Sequence, residues 1–283
     1  MEIIKDIELG GERPLFEKHG LRIVNVKIVD GESGIKQCSN IEAVDCEFIG
    51  KYPFWHVDGS LIEKCYFAPG SRSAIWYSNN MVMRNTVIDA PKMFREMKGL
   101  TLEDVVINDA DETFWNIDGL KIKNVKLHDG TYPFMGSRNI EVDGLESDSK
   151  YVFQYVKDVV IKNAVITTKD AFWETENVTI IDSELNGEYL GWHSKNLRLI
   201  NCHITGTQPL CYAHNLVLEN CTLGEDADLA FEYSTVNATI KGFISSIKNP
   251  TSGHIIADRV GEIILDENIK QPADCLIDIT GVE

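Results

Sequence analysis

Apolar residues recur along the chain in short alternating bursts. LRIVNVKI starts at Leu21, IEAVDCEF at Ile41, SLIEKCYF at Ser60 and MVMRNTVI at Met81. LTLEDVVI, LKIKNVKL, IEVDGLES and VVIKNAVI follow from Leu100, Leu120, Ile140 and Val159, then VTIIDSEL, LRLINCHI and LVLENCTL from Val178, Leu197 and Leu216. The starts lie 19 to 21 residues apart. Within each burst the apolar residues alternate, which predicts two short strands with one buried face each. The polar residue between them, often Asn or Asp (Asn25, Asp45, Asn85, Asp104), marks a tight bend.

The residue before each burst is Gly20, Asn40, Gly59, Asn80, Gly99, Gly119, Asn139, Asp158, Asn177, Asn196 or Asn215. Gly, Asn and Asp tolerate a left-handed backbone. Their recurrence predicts one corner per repeat. Five residues before the corner stands an apolar column: Leu15, Ile35, Phe54, Ile75, Phe94, Phe114, Phe134, Phe153, Phe172, Gly191 and Leu210. Read as a third strand, it completes a coil of three strands and three turns. One coil cannot bury its own apolar face, and stacking on its neighbours does so. The expected fold is therefore all-β: a right-handed parallel β-helix of about eleven regular coils plus irregular C-terminal ones, since crossovers between parallel strands favour the right hand. Residues 1–283 read as one domain, with 1–14 as N-terminal cap, 15–235 as regular coils and 236–283 as irregular coils and cap.

Composition narrows the partners. The net charge of −17 argues against nucleic acid and an anionic membrane surface. No apolar run approaches the ~20 residues of a membrane span. The charged N-terminus has no apolar signal core, so a cytoplasmic protein is expected. The seven cysteines show no CxxC spacing, which points to neither a metal site nor a disulfide framework. Cys46, Cys65, Cys202 and Cys221 fall in one repeat column beside Val and Ala, and read as small buried residues. No cofactor motif is present.

Function is read by column, because equivalent positions stack. All five tryptophans, Trp55, Trp76, Trp115, Trp173 and Trp192, stand four residues before the corner, with Lys36, Arg95, Met135, Gln154 and Cys211. The next position holds Glu17, Gln37, His56, Tyr77, Glu96, Asn116, Gly136, Tyr155, Glu174, His193 and Tyr212. Unpaired charge is costly to bury, so this polar column faces outward. Phe231 and Glu232 read as the last members of the tryptophan and polar columns.

Two readings stay open. In one, the tryptophans and polar ladder are structural, and the edge serves a scaffold or a homo-oligomer. In the other, the edge binds a saccharide or another small ligand through Trp55, His56, Trp76, Tyr77, Arg95, Glu96, Trp115, Asn116, Trp173 and Trp192. The catalytic candidates are Tyr155, Glu174, His193 and Tyr212, on four successive coils, with Glu174 placed to orient His193. A second cluster is His56, Tyr77, Glu96 and Asn116, with Arg95 beside Glu96. Glu96 and Glu174 would lie about 19 Å apart, too far for a glycosidase carboxylate pair. A partner would come from a turn, such as Asp109, Asp111, Glu112 or Asp170.

The coil pattern resembles the pectin-lyase-like β-helix superfamily over nearly the whole chain. The segments GGERPLF (10–16), KDAFW (169–173), GEYLGW (187–192), TQPLCYA (207–213), DLAFEYS (228–234) and IKNPTSG (247–253) resemble a bacterial family of compact β-helix proteins classed as a domain of unknown function. The resemblance implies the fold and no reaction. Superfamily enzymes use calcium-bound Asp clusters with an Arg or Lys base, or paired Asp with His and an Arg-Lys element. Neither set is present, and Asp109, Asp111 and Arg95 are the nearest approach.

Overall fold

The computed structural model describes residues 1–268 and 273–281. Residues 269–272 and 282–283, in the irregular C-terminal segment expected from the sequence, lie outside the described residues. The chain divides into two compact units, 1–149 and 150–283. Each is a parallel β-solenoid, and the chain makes about 14 turns in all.

The first unit contains β1 (Glu2–Leu9), β2 (His19–Ile28), β3 (Ser39–Val44), β4 (Glu47–Phe48), β5 (Asp58–Glu63), β6 (Tyr66–Phe67), β7 (Asn79–Ile88), β8 (Lys98–Ile107), β9 (Asp118–Leu127) and β10 (Arg138–Ser147). The repeat starts face one another in register: Leu21 with Ile41, Ile41 with Ser60, Ser60 with Met81, Met81 with Leu100, Leu100 with Leu120, and Leu120 with Ile140. β1 pairs in parallel with β2 and so adds a rung before the first regular coil.

The second unit contains β11 (Lys157–Thr167), β12 (Glu176–Ile181), β13 (Glu184–Asn186), β14 (Lys195–Ile200), β15 (His203–Thr205), β16 (Leu216–Leu223), β17 (Thr235–Lys248), β18 (Ser252–Ile264) and β19 (Asp274–Ile279). Val159 faces Val178 and Val178 faces Leu197. The register slips between Leu218 and Cys221, where β16 meets the longer β17. No helix among the described residues is long and apolar enough to cross a membrane.

Every predicted corner residue has positive φ, and so do the bend residues Asn25, Asp45, Asn85 and Asp104. The third strand is corrected. The arc before each corner is a run of tight turns, with only isolated bridges such as Trp76 to Arg95 and Arg95 to Trp115. In it φ is positive at alternate residues: Tyr52, Phe54 and His56 in one coil, Lys92, Phe94 and Glu96 in another. Alternation of this kind curls the chain and still sends Phe54 inward. In the first unit Phe94 stacks on Phe114 at 5.0 Å and Phe114 on Phe134 at 4.8 Å between ring centroids. In the second, Phe153 stacks on Phe172 at 5.3 Å.

The last regular coil also needs correction by one residue. Phe231 is fully buried with φ +68°, and so continues the core column. The Tyr212 amide donates to the Glu232 carbonyl, which puts Glu232 in the tryptophan column and Tyr233 in the polar one.

Candidate functional site

All five tryptophans are half-buried. Four are tied by the indole N–H to a backbone carbonyl of the following coil: Trp55 to Ser73 at 2.8 Å, Trp76 to Lys92 at 2.7 Å, Trp115 to Tyr132 at 2.8 Å, and Trp192 to Gln208 at 2.7 Å. Arg95 donates from Nε and Nη2 to the Glu112 carbonyl, and Gln154 donates from Nε2 to that of Asp170 at 3.0 Å. Trp, Arg and Gln share the column because each carries an N–H at that reach.

Several ring faces also have neighbours. Trp55 stacks on Trp76 at 5.5 Å. The Arg95 guanidinium lies 4.7 Å from the Trp76 ring and 4.2 Å from that of Trp115, and Lys36 sits 5.8 Å from Trp55. In the second unit Trp173 stacks on Trp192 at 5.5 Å. A sugar stacks on an aromatic face, and these neighbours take up part of that surface. Trp55, Trp76, Arg95 and Trp115 thus form a ladder of mutual contacts in the first unit, and Trp173 and Trp192 a stacked pair in the second.

Arg95 is not a partner of Glu96. Its Nη2 meets Glu112 Oε2 at 2.5 Å, and Lys92 Nζ meets the same oxygen at 3.1 Å. Burial opposes ionisation of Glu112, but Arg95 and Lys92 outweigh it and hold the carboxyl below its usual range. Burial pushes the other turn acids, Asp109 and Asp170, upward.

The polar column is exposed at His56, Tyr77, Glu96 and Asn116. The His56 and Tyr77 rings stack at 5.1 Å and 12°. Asn116 Nδ2 donates to Glu96 Oε1 at 2.7 Å. Together with Gly136 these side chains form one wall of a depression of about 660 Å3. Asn79, Lys98, Asp118 and Arg138, each just before a corner, form the other wall, and Met97 and Ile117 are on the floor. Arg138 bonds Asp118 at 2.8 Å and, with Asn139 and Lys98, keeps that carboxylate ionised below its usual range. The second wall is invisible in the sequence, where Lys98, Asp118 and Arg138 read as ordinary solvent-facing charges.

The four catalytic candidates of the second unit separate differently. His193 stacks on Tyr212 at 4.9 Å. Glu174 Oε1 receives the Trp173 indole N–H at 3.4 Å, and no ion pair or hydrogen bond joins Glu174 to His193. Tyr155 is exposed. Burial, followed by the charge of Glu232, raises the Tyr212 hydroxyl above its ordinary value of 10.0. No group of three or more His, Cys, Asp or Glu that could hold a metal occurs among the described residues.

A family model described as a protein of unknown function, DUF3737, matches residues 2–278. The chain belongs to the DUF3737 family. No curated protein matches it. Among solved structures it is similar to the A-module of mannuronan C-5 epimerase AlgE4 from Azotobacter vinelandii, at 13% identity and a TM-score of 0.31, over 98% of this chain and 87% of that one. It is also similar to HetL, a pentapeptide repeat protein of the cyanobacterium Nostoc, at 10% identity and a TM-score of 0.30, over 90% and 89%. The periplasmic alginate epimerase AlgG matches at 11% identity and a TM-score of 0.27, over 91% and 77%. No ligand follows from likenesses at these values.

Proposed function

We propose that this DUF3737 protein binds a carbohydrate-like ligand in the depression of its first unit. The observation that carries the reading is the pairing of two outward polar columns across an apolar floor. His56, Tyr77, Glu96 and Asn116 face Asn79, Lys98, Asp118 and Arg138 over Met97 and Ile117. Ligand pockets combine an apolar surface with a few placed polar groups. Here the polar groups include both donors and acceptors, as hydroxyl recognition requires. The walls run along the stacking direction, with equivalent groups repeating about every 4.8 Å, which suits an extended chain of repeating units. Binding runs mainly through hydrogen bonds, because no tryptophan lines the depression.

Calorimetric titration with a panel of soluble neutral and acidic oligosaccharides tests the reading. Binding that weakens in Asn116→Ala and Glu96→Gln, and survives in Trp173→Phe of the second unit, is expected. No binding across the panel would refute it. Light scattering on the same samples tests the scaffold alternative, for which a monomer at high concentration is the adverse result.

A further inference from the structure

Four of the seven cysteines stand in facing pairs. Val44 faces Glu63 and Glu47 faces Tyr66, which sets Cys46 opposite Cys65 on adjacent coils. Ile200 faces Glu219 and His203 faces Thr222, which sets Cys202 opposite Cys221. All four side chains point inward and are buried. The three others have no such partner. Cys275 faces Gly253, Cys211 follows Trp192 in its column, and Cys38 shares a column with Val57 and Ser78.

We propose that Cys46–Cys65 and Cys202–Cys221 are two reversible dithiol sites that close into inter-coil disulfides when a hydroperoxide reaches them. Facing residues of neighbouring parallel strands lie about 4.8 Å apart, inside the roughly 4.4–6.8 Å between Cα atoms that a disulfide spans. The Cys65 sulfur already leans toward its partner, since the Cys46 amide donates to it at 3.4 Å. Both bends are solvent-side corners of the coil. Over the first pair lies a shallow depression of about 630 Å3 that Cys46 and Cys65 help line, with Lys27, Lys64 and Tyr66 around them. Each of the four thiols donates to main-chain carbonyls, so both sulfurs of a pair are held in place beside each other. Either sulfur of a pair can open the reaction, and the facing one resolves its product.

The chemistry closes without a further reagent. The nucleophilic sulfur attacks the peroxide, the O–O bond breaks, and a sulfenic acid forms with release of an alcohol or water. The facing sulfur then attacks the sulfenyl sulfur, the S–O bond breaks and water leaves. Two thiols are oxidised by one electron each, the peroxide gains both electrons, and the two thiol protons end in the alcohol and the water.

The test exposes the folded full chain to hydrogen peroxide, denatures and alkylates it, and maps the peptides. Circular dichroism confirms that the chain stays folded during exposure. The expected result is loss of four of the seven thiols. They should appear as Cys46–Cys65 and Cys202–Cys221 cross-links that dithiothreitol reverses. Cys65→Ser should lose the first cross-link and keep the second. Seven intact thiols, cross-links between other cysteines, or sulfinic acid without a cross-link would overturn the proposal.

Discussion

Trp192 gives its indole N–H to the carbonyl of Gln208, one coil further on, at 2.7 Å. This bond gives Trp192 a structural task of its own. It also predicts a graded response. Trp192→Phe keeps an aromatic ring and loses the donor, at a cost of about 1 kcal/mol. Trp192→Ala also loses packing on Trp173 and Tyr189 and should cost about 2–4 kcal/mol. Trp192→Gln, which restores an N–H as Gln154 does, should recover part of the alanine loss. Urea denaturation midpoints measure the series.

The Arg95–Glu112 pair predicts a pH signature. Arg95 holds Glu112 and fills the gap between Trp76 and Trp115. Arg95→Met leaves Glu112 with Lys92 alone, so the variant should be less stable at neutral pH by about 1–3 kcal/mol. The folded carboxyl titrates below its ordinary value of 4.5. Its contribution is therefore complete above that value and is lost as pH falls through the lower, folded one. The gap between wild type and variant should narrow in acid below pH 4.5 and stay constant from there to neutrality. A gap independent of pH would show that packing, and not charge, sets Arg95's role.

Lys64 occupies a bend with φ +54°, where the neighbouring coils carry Asp45 and Asn85. A lysine gains nothing there from local hydrogen bonding, whereas Asn and Asp do. Lys64→Asn should raise stability by about 0.5–1 kcal/mol, and Asn85→Ala should lower it by a similar amount. Thermal or urea unfolding of both variants checks the opposite signs.

That lysine shows where the sequence stops being legible. Corners at the surface have little packing to satisfy, so the backbone selects the residue, and Gly59, Asn80 and Gly99 announce the turn. Phe54, Ile75 and Phe94 have the same left-handed backbone and are fully buried. There the core selects the residue, and the turn leaves no trace. The run of buried aromatics therefore looked like a strand. The columns themselves could be read from spacing alone. That Trp, Arg and Gln act as equivalent donors requires the carbonyl of the next coil to be in view. The wall formed by Lys98, Asp118 and Arg138 requires knowing which side chains face across the corner.

Gly191 interrupts the core column for a local reason. A Cβ there would lie 2.8 Å from Leu210 Cδ2 and 3.0 Å from Leu197 Cδ2, and φ is +70°. Two leucines already fill the volume that a phenylalanine fills elsewhere. Gly191→Ala should cost about 1–3 kcal/mol, and Gly191→Phe should prevent folding. Trimming Leu210 to Ala in the Gly191→Ala background should remove the overlap, so that the double variant loses less than the sum of the two singles. Additive losses in denaturant would disprove the overlap.

Gly136 offers a way to separate the depression from the tryptophan ladder. It ends the polar wall after His56, Tyr77, Glu96 and Asn116, and its φ of +69° is one that Asn116 adopts in the coil before. A Cβ at Gly136 would come within 2.6 Å of Asn116 Oδ1, the far end of an exposed side chain that can turn aside. Gly136→Asn should therefore fold with little loss, since Asn accepts the left-handed backbone, while its amide projects into the depression. If the ligand lies there, affinity should fall about tenfold or more, equivalent to about 1.4 kcal/mol. Trp192→Phe, in the other unit, should bind as wild type does. The reverse pattern, unchanged binding in Gly136→Asn and loss in Trp192→Phe, would return the ligand to the aromatic edge. Calorimetry with whichever oligosaccharide binds the wild-type chain distinguishes the two, and unfolding curves on the same samples show that the variants remain folded.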